Sequence, residues 1–416
     1  MFRWIGASLL ALMSVFAHAD DTRGVALALD EAQALALERQ PLLDAQRQAI
    51  QAQRESAVAA AQLPDPTLSG GITDLTLTGG DRFTLRRESD TQLMVGIRQS
   101  FPGGDKRALR GARGTAEADR LFAELAEQTR MVRRETGLMW LEVWKAQRAQ
   151  SQVRESINQA KLQVEAVRIA FTASRATQAE VLAAQVSLEL LNDQLANLEQ
   201  MEWHARNQLR RWIGAEAERL LCPDLPTWPA PDAVRLTQGL EHHPHIAAQS
   251  QAVPVAAAEL KLAHAAYRPD WSVQLGYGHR PEFPDYAALT FEVGLPLFTA
   301  NRQDRGVEAG RAGVERAEQL KQDALRQHRA EIALNVEDWT RLQQRLARYD
   351  GDILPRAQQR LASAQAAYGA GAGTLAMALE ARRSLLDIEL QKLDLEFDAA
   401  KHQVTLEYFA HPETLP

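Results

Sequence analysis

Cysteine is almost missing from this chain: Cys222 is the only one in 416 residues, so no internal disulfide can staple it. Aromatics are scarce at 6%, although apolar residues make up 45%. Much of that apolar share is Ala, whose small side chain suits long, closely packed helices. No uninterrupted apolar run reaches the roughly 20 residues of a transmembrane helix. A basic surplus is lacking too. The 47 Lys and Arg face 54 Asp and Glu, a net charge of −7, which disfavours nucleic acid as a partner. There is no Gly-x-Ser-x-Gly elbow, no phosphate-cradling glycine loop after a strand, no His-Glu-x-x-His pair and no nucleophilic cysteine with a partner. An enzyme is not expected, and no cofactor is called for.

What is present begins with an export signature. Arg3 precedes an apolar stretch from Ile5 to Phe16, and Ala17-His18-Ala19 has the small-x-small form read by signal peptidase. Cleavage is expected after Ala19. The alternative, an N-terminal anchor, is disfavoured because the stretch is shorter than a spanning helix. No cysteine lies near the site to carry a lipid.

Compared with itself, the chain shows a repeat. Gln40-Pro41 answers His243-Pro244, and Pro64-Asp65-Pro66-Thr67 answers Tyr267-Arg268-Pro269-Asp270, at an offset of 203. Phe101 answers Phe298, and Phe171 with Thr177 answers Tyr368 with Thr374, at an offset of 197. Between the halves, Cys222 to Pro231 carries four prolines, which forbid regular helix and mark an extended connection. The expected organisation is a signal peptide at 1–19, a first repeat at 20–221, a Pro-rich connection at 222–236 and a second repeat at 237–416.

Each half opens with an Ala-rich helix, Leu29 to Gln62 and Thr237 to Ala266, that stops ahead of a proline. Two strands should follow. In the second half Trp271, Val273, Leu275 and Tyr277 alternate with Ser272, Gln274, Gly276 and Gly278, and Leu289, Phe291, Val293 and Leu295 alternate with Thr290, Glu292 and Gly294. In the first half Leu93, Val95 and Ile97 alternate well, whereas Thr67 to Thr78 changes phase around Asp74. Long helical stretches come next, Lys106 to Ser174 and Arg302 to Tyr368, each followed by a break and another long helix. Such helices must bury apolar stripes side by side, with Leu182, Val186 and Leu190 or Leu188, Leu191 and Leu195 as candidates.

Strands of about 10 residues with one apolar face have the length of membrane-spanning β-strands. Four of them cannot sit open in lipid, because each unpaired edge N–H or C=O costs several kcal/mol. A membrane reading therefore requires a barrel shared between copies: eight strands from two chains, or twelve, with a wetter lumen, from three. The polar face, including Glu292, then lines the lumen. A soluble α+β protein with strands packed on helices is the alternative.

The organisation resembles the TolC family of outer-membrane efflux proteins across essentially the whole mature chain. A closer likeness is to its heavy-metal branch, the CusC/CzcC-like components of metal-cation efflux pumps. The residues that carry it are Gln62-Leu-Pro-Asp-Pro-Thr67, Thr78-Gly-Gly-Asp-Arg-Phe83, Phe101-Pro-Gly-Gly-Asp-Lys-Arg107, Tyr267-Arg-Pro-Asp-Trp271, Leu295-Pro-Leu-Phe298 and Asn301-Arg-Gln-Asp-Arg305. The resemblance implies an α+β membrane protein in which a long α-helical coiled-coil barrel is continuous with a trimeric twelve-stranded β-barrel, four strands per chain. It implies a homotrimer in outer-membrane lipid, with its helices in the periplasm of a Gram-negative cell. The implied partners are a periplasmic adaptor (membrane fusion protein) and an inner-membrane pump of the resistance-nodulation-division (RND) type. The implied function is a passive conduit exporting heavy-metal cations from periplasm to outside. A channel for drugs or secreted proteins, and a soluble periplasmic coiled-coil scaffold, are the competing readings.

In that family the gate lies at the periplasmic helix tips, which fall here on Thr172 to Thr177 and Gly369 to Thr374. Acidic residues just after the second tip form a cation-attracting constriction in some members. By position these are Met377 and Glu380, so one acid is replaced, and Glu180 in the first half is its possible substitute. An ordinary solvated role for both glutamates is the competing reading. Arg175, Thr177, Gly371, Gly373 and Thr374 are the expected adaptor-docking tips, with Arg175 simply facing water as the competing reading. Separately, His242-His243-Pro244-His245 contains three imidazoles, a weak metal-ligand candidate. The proline and the lack of i, i+4 spacing do not aim two of them at one ion, and no second cluster is evident in the sequence.

Overall fold

The computed structural model describes residues 26–410. The expected signal peptide at 1–19 and its cleavage site lie outside the described residues. Each half of the chain repeats one order of elements. α1 (Leu29–Arg39) and α2 (Pro41–Ala60) lead to β1 (Thr67–Thr73) and β2 (Gln92–Phe101), then α3 (Lys106–Thr172) and α4 (Gln178–Ile213). The second half runs α5 (Ala233–Gly239), α6 (Pro244–Ala265), β3 (Trp271–His279), β4 (Tyr286–Val293), α7 (Gln303–Arg348), α8 (Leu354–Gly369) and α9 (Leu375–Phe409). α3 alone has 67 residues. No helix among the described residues is long and apolar enough to cross a membrane.

Prolines explain most departures from the expected bounds. The single opening helix expected over 29–62 is two helices, because Pro41 has no N–H to donate and Gln40 before it is extended (φ −80°, ψ 110°). The second half breaks at the matching place: His243 is extended (φ −65°, ψ 135°) and Pro244 opens α6. The stretch expected from Arg302 to Tyr368 is interrupted by a π-helical turn at Tyr349–Ile353, just before Pro355. The phase change at Asp74 is a strand end, since β1 stops at Thr73 and Asp74 is left-handed at φ 56°.

The chain forms two compact units, each drawing on both halves of the sequence. One comprises, among the described residues, 26–40, 132–231 and 335–408. Its core holds the Pro-rich connection by side chains, because prolines leave backbone carbonyls without a ladder. Leu27, fully buried, forms a parallel bridge with Leu221. The indole N–H of Trp140 donates to the Leu27 carbonyl (3.1 Å), Trp144 to the Pro223 carbonyl (2.8 Å) and Trp228 to Glu407 (2.7 Å). Gly137 lets the helices close: a Cβ there would stand 2.9 Å from both Gln33 Nε2 and Val404 Cγ1. Of the two apolar stripes on α4, Leu188, Leu191 and Leu195 pack inside against Val153, Ile157 and Leu386. Leu182, Val186 and Leu190 are exposed.

The other unit comprises residues 41–131, 232–334 and 409–410 and contains the sheet. Its strands are antiparallel in the order β1-β2-β3-β4, so β1 and β4 each have an open edge. The register places Arg98 opposite Thr67 and Gln274, and Gln274 opposite Thr290. By alternation, one face presents Leu68, Val95, Leu275, Leu289 and Phe291, all exposed. β4 ends at Val293, so Leu295 falls outside the expected alternation. The corner between β2 and α3 is clasped to the start of β3: Lys106 Nζ and the Gly103 N–H donate to Asp270 Oδ1 at 2.7 and 2.6 Å.

Candidate functional site

The α3–α4 and α8–α9 turns come together in the first unit. Val167, Ala184 and Leu375 are buried between them, with Val181, Tyr368 and Leu379 packed around. The first turn closes with Ser174 left-handed (φ 56°) and the Arg175 N–H donating to the Ala170 carbonyl at 2.8 Å. The second turn uses Gly371 (φ 73°), where a side chain would be strained. The guanidinium-bearing Arg175 is exposed.

Both expected tip threonines are helix caps. Thr177 forms a capping box: its hydroxyl accepts from the Glu180 N–H at 3.2 Å, while the Thr177 N–H and hydroxyl donate to Glu180 Oε2 at 2.8 and 3.0 Å. Thr374 Oγ1 accepts from the Met377 N–H at 3.4 Å. The Glu180 carboxylate is thus folded back on the start of α4. Glu380 and Met377 stand exposed on α9. A residue missed in the sequence, Tyr368, joins this group. Burial, and then the charge of Glu180, push its phenol above the ordinary value.

On the polar face of the sheet, Glu292 is not alone. Arg98 Nη1 and Nη2 donate to its two carboxylate oxygens at 2.7 and 2.9 Å, a bidentate pair. The same guanidinium donates from Nε and Nη2 to Gln274 Oε1 at 3.1 and 2.7 Å. Alternation along β2 already sets Arg98 on the polar face, but only the register of β2, β3 and β4 brings these three together.

Residues 236–409 match the family model described as outer membrane efflux protein. No curated protein matches the sequence. Solved structures extend the likeness over both halves. The outer membrane protein VceC of Vibrio cholerae is 20% identical with a TM-score of 0.74, covering 92% of this chain and 95% of its own. CusC, described in its conformational changes on transmembrane channel formation, is 18% identical with a TM-score of 0.74, covering 92% of both chains. The CmeC outer membrane channel of Campylobacter jejuni is 13% identical with a TM-score of 0.76, covering 92% of this chain and 85% of its own. At these identities the likeness establishes the fold: long helices with a small antiparallel sheet. The efflux family and these neighbours are channel proteins, not enzymes.

The fold also places the three neighbouring histidines. His242 lies in a 3₁₀ turn, and buried His243 is the N-cap of α6, accepting from the His245 N–H at 3.3 Å. His245 Nδ1 instead meets His328 Nε2 of α7 at 2.7 Å. Behind the pair, Glu127 lies 3.9 Å from His245 Nε2 and Glu331 lies 3.5 Å from His328 Nδ1. The extra imidazole is 83 residues away from His245, beyond any local motif. Among the described residues, no group of three or more His, Cys, Asp or Glu side chains is disposed to hold a metal ion.

Proposed function

We propose that this chain is the outer-membrane channel of a tripartite efflux system. Three copies close a twelve-stranded barrel, and the partners are a periplasmic adaptor and an RND-type inner-membrane pump. The observation that carries this reading is the sheet, which has an exposed apolar face, an opposite polar face and two open edges. Only closure with further strands satisfies those edges in lipid. The exposed stripe of Leu182, Val186 and Leu190 supplies an apolar helix surface for neighbouring copies. Export energy comes from the pump, and the chain provides a wet path with its gate at the helix tips, where Glu180 and Glu380 are the candidate charges.

The proposed cargo is heavy-metal cations, supported by the motifs around Pro64, Phe101, Pro269 and Asn301 and by the acids near the tips. Two experiments test the proposal. The mature protein should partition into the outer-membrane fraction, require detergent and run as a trimer; recovery in the soluble periplasmic fraction would overturn the channel. Deletion should lower tolerance to one or more of Cu, Ag, Zn, Cd and Co salts. Unchanged tolerance to all of them, with increased drug sensitivity, would replace metals by drugs as cargo.

A further inference from the structure

The four strands contain two side chains of the Asp, Glu, Lys and Arg class, Arg98 on β2 and Glu292 on β4, and they are bonded to each other. The register puts both on the polar face. Arg98, Gln274 and Thr290 stand in one row across the sheet, with Ser272 and Glu292 in the next. Toward the strand ends that lead into the β1–β2 and β3–β4 loops, that face turns small: Ser69, Gly96, Gly276 and Ala288 occupy the following row. The guanidinium spans all three strands from β2 to β4, donating to Gln274 and Glu292. Glu292 also accepts from the Ser272 hydroxyl at 3.4 Å. Both charged side chains keep substantial exposure, 38% for Arg98 and 51% for Glu292, so ions in water on that side of the sheet reach them.

From this we propose that Arg98 sets the charge selectivity of the conduit, by holding Glu292 as a neutral pair on the lumen face. The inference rests on the channel reading above. In a closed barrel the Arg98–Glu292 level lies on the lumen wall, where a fixed charge acts on a passing ion. Paired, the two groups present no net charge. Without Arg98, each chain exposes one uncompensated carboxylate at that level. Without Glu292, each chain exposes one uncompensated guanidinium. A unit charge about 8 Å from an ion in a water-like medium changes its local concentration roughly twofold, and several copies around an axis add to this.

The test is the reversal potential of purified trimer in planar bilayers across a KCl gradient, for wild type, R98Q, E292Q and the R98Q/E292Q double variant. R98Q is expected to raise the potassium-to-chloride permeability ratio at least about twofold, and E292Q to lower it by a similar factor. The double variant should return to the wild-type ratio. A merely structural role for the pair would not give shifts of opposite sign. The neutral double variant, with no unpaired charge, keeps the test open if a single variant folds poorly, because its ratio should still match wild type. Conducting single variants with the wild-type ratio, shifts of the same sign, or a double variant that departs from wild type would overturn the assignment. Wild-type protein that forms no conducting pore would overturn the channel reading itself.

Discussion

The capping box at the first helix tip allows the two roles of Glu180 to be separated. In Glu180→Ala the Thr177 N–H and hydroxyl lose their shared acceptor, Oε2 at 2.8 and 3.0 Å, while the bond from the residue 180 N–H to Thr177 Oγ1 remains available. Loss of such a cap costs about 0.5–2 kcal/mol, and loss of a carboxylate near a helix N-terminus about 0.3–1 kcal/mol. The first turn of α4 should therefore open more often, by a factor of roughly 5–30 for about 1–2 kcal/mol. Glu180→Gln keeps both acceptor contacts, since Gln also serves at this position of a capping box, but removes the charge. Hydrogen exchange over residues 173–184 of the detergent-solubilised protein should accelerate in the alanine variant and stay near wild type in the glutamine variant. Single-channel conductance gives the second axis. If Glu180 is also a gate charge, the glutamine variant alters block by divalent cations while exchange is unchanged. In both variants the Tyr368 phenol should ionise at lower pH, because the nearby negative charge is gone. An alanine variant that exchanges no faster than wild type, in a protein where Thr177→Ala does, would refute the capping argument.

Three further outcomes follow from buried polar contacts. Glu202 accepts from Arg206 at 2.8 Å, from Gln147 at 3.0 Å and from Gln150 at 2.7 Å; burial alone would raise its carboxyl, but these donors outweigh it and hold it below the ordinary range. Its contribution is then full above the unfolded pKa of about 4.3 and lost as pH falls through the folded value; Glu202→Ala should cost about 1–3 kcal/mol in neutral thermal or urea unfolding and flatten the acid limb. Glu407 behaves oppositely: burial pushes its carboxyl up against the opposing bond from Trp228 and the charge of Arg133, so its ionisation weakens the fold as pH rises through the folded value. Glu407→Gln keeps an acceptor for Trp228 and should raise the neutral melting temperature, whereas a lower one would contradict the burial argument. His328→Ala removes the partner of His245 from beside Phe409, with ring centroids 5.1 Å apart, and should destabilise by about 1–3 kcal/mol in the same unfolding assays.

The division between what was legible in the sequence and what was not follows the range of the interactions. Strand alternation, the phase change at Asp74 and the paired tip turns are local, and each reappears as an element or an element end. Pro41 and Pro244 were equally local, but they were read only as repeat markers inside unbroken opening helices, and the missing N–H breaks both helices there. By contrast, α4 bears two apolar stripes of similar composition, and only tertiary packing decides that Leu188, Leu191 and Leu195 turn inward while Leu182, Val186 and Leu190 stay exposed. The site residues divide in the same way. Thr177 and Glu180 are three apart and form a capping-box signature readable by eye, which assigns the glutamate a structural task before any gating one.

Glu292 shows what a single-strand reading omits. Alternation correctly set it on the polar face, but its pairing depends on Arg98, 194 positions earlier, and on a register in which a one-residue slip of β2 would turn Arg98 to the opposite face. Such a slip would strand a guanidinium on the apolar face and leave Glu292 uncompensated, so the pair penalises misregistration of three strands at once. In a sheet with two open edges and an exposed apolar face, a penalty that acts within one chain specifies the strand order without any neighbour. On the channel reading proposed above, a substitution at either residue is expected to alter assembly yield and ion selectivity together.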